Sequence, residues 1–173
     1  MRTYSIAGYS LLDLLVALTL IGILVGIATP ALSSWNEQQR LRSLQANLFH
    51  MTNKARYLAM TSQSRVTLCS LSEQSKCQPG WSGSISSFID NNGNRQLDAG
   101  EEVFSTLYVP ISITLNWRGM LPNNSIHFSN QGLTFVSNGT MSFCSSRSNT
   151  HSGTMVINRQ GRVKTSKEGA SCP

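Results

Sequence analysis

A chain of 173 residues, 40% hydrophobic and 13% charged, is long enough for one domain with a modest core and too apolar to be a disordered polyelectrolyte. Its formal net charge is +6, from 14 Lys and Arg against 8 Asp and Glu, and no acid occurs between Glu102 and Glu168. The three histidines, His50, His127 and His151, are scattered with no plausible nucleophile partner, so the chain is not expected to be an enzyme and calls for no cofactor.

The first element is the apolar stretch "AGYSLLDLLVALTLIGILVGIATPAL", Ala7 to Leu32. Its uncharged part, Leu14 to Leu32, would span about 28 Å as a helix, close to the roughly 30 Å hydrocarbon thickness of a bilayer. A cleaved secretory signal would have a shorter apolar core followed by small residues, so this segment is expected to be kept. Asp13 is a costly group to place in hydrocarbon. Pro30 should kink or locally unwind the helix, because proline lacks the backbone donor and crowds the carbonyl four residues earlier. Beyond it Leu41, Leu44, Leu48, Met51, Ala55 and Leu58 recur every three or four residues between polar positions, which predicts one helix from about Leu11 to Thr61, apolar all round in its first half and striped in its second.

After Ser62 the period falls to two. Strands are expected over Val66–Leu71, Ser84–Ile89, Val103–Val109, Ile111–Trp117, Ser125–Ser129, Leu133–Val136, Thr140–Cys144, Thr154–Asn158 and Arg162–Thr165. In the fourth, Ile111, Ile113, Leu115 and Trp117 should share one face. Asn91-Asn92-Gly93, Pro122-Asn123-Asn124, Asn138-Gly139 and Gln160-Gly161 mark turns. The result is an α+β chain in which the striped half of the helix lies on antiparallel sheet.

Cys69, Cys77, Cys144 and Cys172 all follow the membrane segment, and an even number in an exported domain reads as two disulfides. Of the three pairings, Cys69–Cys77 closes a short loop and Cys144–Cys172 staples the C-terminal tail to a strand; this is the pairing expected. The spacings are not those of zinc sites, and no metal is expected.

The N-terminal stretch resembles that of type IV pilins and type II secretion pseudopilins: a short basic leader ending in glycine, then an aromatic, an acid five residues after the cut and a proline at the twenty-second position. Tyr9 stands where phenylalanine is commonest and Asp13 where glutamate is usual. The middle stretch "VTLCSLSEQSKCQPGWSGSISSFIDNNGNRQLDAGEEVFSTL" and the later "GTMVINRQGRVK" resemble the GspH/FimT group of minor pilins, so that the resemblance covers nearly the whole chain. It implies the type IV pilin fold, a long N-terminal helix on a β-rich head, divided into a cleaved leader (1–8), a membrane-spanning and filament-core segment (9–32), the amphipathic half of the helix (33–62) and the head (63–173). It implies cleavage by a prepilin peptidase between Gly8 and Tyr9 and methylation of the new N-terminus. Asp13 would pair with the α-amino group of a neighbouring subunit, while Pro30 would mark where the helix loosens as a subunit leaves the membrane. The implied partners are other pilins through the N-terminal helix, the peptidase and an inner-membrane assembly platform. The implied location is the bacterial inner membrane, single-pass with the head in the periplasm, and then a pilus or pseudopilus, in which the chain would help to start assembly.

For FimT-like pilins of transformable bacteria the resemblance further implies DNA capture by a Gly-Arg-x-Arg motif, which here reads Gly161-Arg162-Val163-Lys164. Gly161 suits the left-handed position of a tight turn. Arg162 and Lys164, two apart on a strand, should then share one face, with Val163 inward and with Arg159 and Lys167 extending a cationic ridge. Arg147 lies in the same acid-free interval. Such a ridge can track phosphates without reading bases, although the lysine lacks the two-pronged guanidinium. The alternatives are a solvated basic edge that discourages aggregation, and a type II secretion pseudopilin that contacts exported proteins and never DNA. "DNNGNRQLDAGE" carries Asp90, Asn92, Asn94, Asp98 and Glu101 at calcium-loop spacing, but Arg95 stands where such loops need glycine and strands flank it, so a plain polar hairpin loop is expected. Trp35, Trp81 and Trp117 are expected in packing, not in stacking on bases.

Overall fold

A computed structural model describes residues 11–120, 124–146, 152–167 and Cys172. Among these residues one helix, α1 (Leu11–Thr61), is followed by eight strands: β1 (Val66–Ser70), β2 (Ser84–Ile89), β3 (Val103–Tyr108), β4 (Ile113–Gly119), β5 (Ile126–Phe128), β6 (Gly139–Ser145), β7 (Ser152–Ile157) and β8 (Val163–Ser166). The helix ends at Thr61, where its periodicity predicts, and is continuous from the first described residue. It stays helical through Pro30, so the local unwinding expected there does not occur. Ser33 Oγ donates to the Pro30 carbonyl at 2.9 Å. The chain divides into two compact units, one up to Glu37 and one from Gln38 onwards.

In the first unit the helix exposes its leucines, isoleucines and valines, from Leu11 to Leu32, and Asp13 lies in its first turn. It is long and apolar enough to cross a membrane. Trp35 is exposed, where packing was expected.

In the second unit Leu41, Leu44, Leu48, Met51, Ala55 and Ala59 form the buried stripe. Leu58, expected on that stripe, is only partly buried, while Ala59 is covered completely. The strands make two antiparallel four-stranded sheets, ordered β3-β2-β1-β5 and β4-β6-β7-β8. The stripe shares one core with Val66, Leu68, Ile85, Ile126 and Phe128 of the first sheet and with Leu115, Trp117, Met141, Phe143, Met155 and Ile157 of the second. Each fully buried leucine or phenylalanine contributes about 1.5–3 kcal/mol, so this shared core is what holds the helix to both sheets. Gln45 adds direction: its Nε2 donates to the carbonyls of Thr154 (2.8 Å) and Ser166 (3.0 Å), tying α1 to β7 and β8. Trp81 and Trp117 are buried with ring centroids 6.2 Å apart, as packing residues.

Every residue of β1 is buried, because its second face also has a cover. Cys69 and Phe88 pack there with Cys77, Leu71 and Leu97, beneath the excursion between β1 and β2. Both disulfides have the expected pairing, Cys69–Cys77 and Cys144–Cys172, with Cα separations of 5.5 and 5.6 Å.

Two expectations about strands are overturned. Leu133–Val136 is not a strand: Ser137 N bonds the Thr134 carbonyl at 2.7 Å, Phe135 takes a positive φ of 41°, and Thr134 is held by the β7–β8 turn. Four residues with glycine on one side and Asn-Gly on the other are too few for alternation to outweigh turn formation. Ile111 does not share the face of Ile113, Leu115 and Trp117. It sits in the turn closed by Ile113 N to the Pro110 carbonyl (2.9 Å), where the chain passes from the first sheet to the second, and is 92% exposed.

Candidate nucleic-acid interface

The turn between β7 and β8 is built by Asn158. Its carbonyl accepts from Gly161 N (2.9 Å), its N donates to the Arg162 carbonyl (3.1 Å), and its Oδ1 accepts from Arg162 N (2.8 Å). Gly161 has φ 72°, the left-handed conformation that glycine takes without steric cost. The turn is also anchored from outside. Thr134 Oγ1 donates to the Asn158 carbonyl at 2.8 Å, Thr134 N donates to the Arg159 carbonyl at 3.1 Å, and Arg56 Nε on the helix donates to the Gly132 carbonyl at 3.0 Å, beside Gly161. Asn158 was expected as the last residue of the preceding strand; the signal that marks its role is the Asn-x-x-Gly spacing to Gly161. Arg56, Gly132 and Thr134 carry no local signal, since each acts through contacts distant in sequence.

Arg159, Arg162 and Lys164 are exposed and Val163 is buried, so Lys164 lies on the outward face of β8 and Arg162, the residue before the strand, is exposed beside it. Lys167 does not extend that face. It lines a groove on the helix side with Arg42, Gln45, Phe49, His50 and Thr165, because alternation along β8 puts Thr165, and Lys167 after it, opposite to Lys164. Arg147, Gly8, Tyr9 and His151 lie outside the described residues. The strands of the second sheet carry no acid, whereas Glu73, Asp90, Asp98, Glu101 and Glu102 all lie between β1 and β3. Among the described residues of this sheet no carboxylate offsets the field of these cations.

The loop with calcium-like spacing closes on itself. Asp90 is fully buried and its Oδ2 accepts from Thr67 Oγ1 (2.7 Å) and Arg95 N (3.3 Å). Asn92 and Asn94 each donate to Asp98 Oδ2 at 2.8 Å, and Glu101 accepts from Asn91 N (2.9 Å) and Asp98 N (3.1 Å). Arg95 takes the left-handed φ of 61° that glycine would supply. Among the described residues no three His, Cys, Asp or Glu side chains gather as a metal site would require. Beside this loop, burial and the nearby Arg65 and Arg95 push the His127 imidazole down to about 4.

A long N-terminal helix, apolar in its first half and packed in its second on antiparallel sheet, defines the class of type IV pilin-like proteins. Among solved structures the chain is similar to the type IV minor pilin FimU of Pseudomonas aeruginosa PAO1 in two crystal forms. In the first, identity is 15%, the TM-score is 0.58, and 76% of this chain and 92% of that one are covered. In the second the values are 15%, 0.51, 72% and 91%. The minor pseudopilin EpsH of the Vibrio cholerae type 2 secretion system aligns at 11% identity over 72% of this chain and 94% of that one, with a TM-score of 0.49. No curated protein sequence matches. The family described as type II transport protein GspH matches residues 45–161, and the chain belongs to it. As a member of that family it is a minor pilin or pseudopilin, a structural protein and not an enzyme.

Proposed function

We propose that this minor pilin, once in a filament, contacts DNA without sequence preference through Arg162 and Lys164, with Arg159 beside them. The observation that carries the reading is the exposure of both side chains on one face of an acid-free sheet, behind a turn held on several sides. Phosphate contacts of this kind supply affinity and position but no base readout. In this reading DNA uptake uses the filament as the delivery vehicle. Before assembly the chain is cut between Gly8 and Tyr9 by a prepilin peptidase, methylated at Tyr9, and held in the bacterial inner membrane with its head in the periplasm. It is then passed through the assembly platform to pack against other pilins, with Asp13 facing the α-amino group of a neighbour and helping assembly to start.

The test uses the full chain in detergent micelles with a short duplex of random sequence, titrated over a series of salt concentrations. With two or three phosphates engaged, log K should fall against log salt with a slope of about −2 to −3. Arg162→Gln with Lys164→Gln should remove most binding while melting as the wild type does. Unchanged binding in that variant would move the site elsewhere. No binding by wild type at low salt would leave the type II secretion reading, in which the head contacts exported proteins.

A further inference from the structure

We infer that the phosphate-binding face continues across the whole second sheet, from Lys164 on β8 to Arg118 on β4, and that Arg118 is a further backbone contact. The inference rests on the DNA reading above and is carried by strand register. Arg118 lies opposite Thr140, Thr140 opposite Val156, and Val156 opposite Lys164. Residues directly opposite on antiparallel strands point to the same face of a sheet, so Lys164 outward means Arg118 outward. Burial agrees: Arg118 and Lys164 are exposed, while Trp117 and Val163 beside them are buried. Three strand spacings of about 4.8 Å separate the two cations by about 14 Å. At about 3.4 Å of axial rise per phosphate on one strand, that is the reach of about four nucleotides.

What lies between them suits a backbone. Thr140 offers a half-buried hydroxyl, Val156 brings no opposing charge, and the strands carry no carboxylate. The neighbouring rows are less open. Ser142 and Thr154, in line with Asn116 and Ser166, are buried, and Cys144, in line with Thr114 and Ser152, is tied to Cys172. The row of Arg118 is therefore the least covered of the three, exposed at Arg118, Val156 and Lys164 and half-buried at Thr140. A duplex laid across the strands meets cations at both edges, and the guanidinium of Arg118 can fork onto a phosphate where an ammonium cannot.

The experiment measures salt dependence of duplex binding by the full chain in micelles for Arg118→Gln, Arg118→Lys, Thr140→Glu and, on the first sheet's loop, Lys76→Gln. Arg118→Gln is expected to reduce the slope of log K against log salt by about 0.9, one phosphate's worth, and Thr140→Glu to weaken binding. Arg118→Lys should keep the slope, and Lys76→Gln should behave as wild type, all four with unchanged melting and disulfides. If Arg118→Gln keeps the wild-type slope while the Arg162 and Lys164 double variant loses binding, the cross-sheet track is wrong and the β8 site stands. If wild type binds poly-glutamate and not DNA, or binds neither, both readings fall.

Discussion

A Cβ added to Gly161 would overlap the carbonyl oxygen of Gly132, the same oxygen that accepts the hydrogen bond of Arg56. The glycine of the basic hairpin is thus required twice, by its φ of 72° and by what lies against it. Gly161→Ala should destabilise the chain by on the order of 1–3 kcal/mol and displace Arg159 and Arg162. Denaturation of wild type and variant checks the first effect and duplex binding the second. A variant as stable as wild type would show that the turn relaxes freely.

The two disulfides should differ in worth, because their sequence separations are 8 and 28 residues. On the chain-entropy account, losing Cys69–Cys77 costs about 2.5 kcal/mol and losing Cys144–Cys172 about 3.6 kcal/mol. Denaturant unfolding of Cys77→Ser and Cys172→Ser gives the order. Equal losses would mean that burial of Cys69 and Cys77 matters as much as loop length.

His127 is held neutral, its pKa lowered from 6.5 to about 4 by burial and then by Arg65 and Arg95, with Asp90 opposing them. The unfolded chain binds the proton first as pH falls. The stability contributed by the neutral folded form is therefore fully present above pH 6.5 and is lost progressively towards pH 4, by at most about 3 kcal/mol. Melting from pH 7 to pH 4 should fall more steeply for wild type than for His127→Gln. Parallel curves would assign the acid sensitivity to carboxylates.

Processing is expected to leave Tyr9 as the N-terminus. Mass spectrometry of chain extracted from cells with an active prepilin peptidase reads it directly, and an intact Met1 would refute the cut.

Asp13→Ala should be cleaved and inserted normally yet be missing from sheared filaments, since the carboxylate is proposed to act in subunit docking. Wild-type incorporation of that variant would remove the proposed pairing.

Local pattern determined a great deal. The end of α1 at Thr61, the Ser84–Ile89 strand, the buried stripe from Leu41 to Ala55 and the outward pair Arg162 and Lys164 all follow from periods of 3.6 and 2, which are properties of neighbouring residues. The disulfide pairing followed from where four cysteines fall along the chain. Tertiary structure decided what those periods cannot carry. Leu133–Val136 reads as a strand but turns, because Thr134 is claimed by Asn158 and Arg159. Lys167 follows Lys164 by three residues and so faces Arg42 and His50 across the helix groove. Arg118 is about forty-six residues from Lys164 in sequence and joins its row only through three successive strand registers, which hydrogen-bond ladders set and no local pattern encodes.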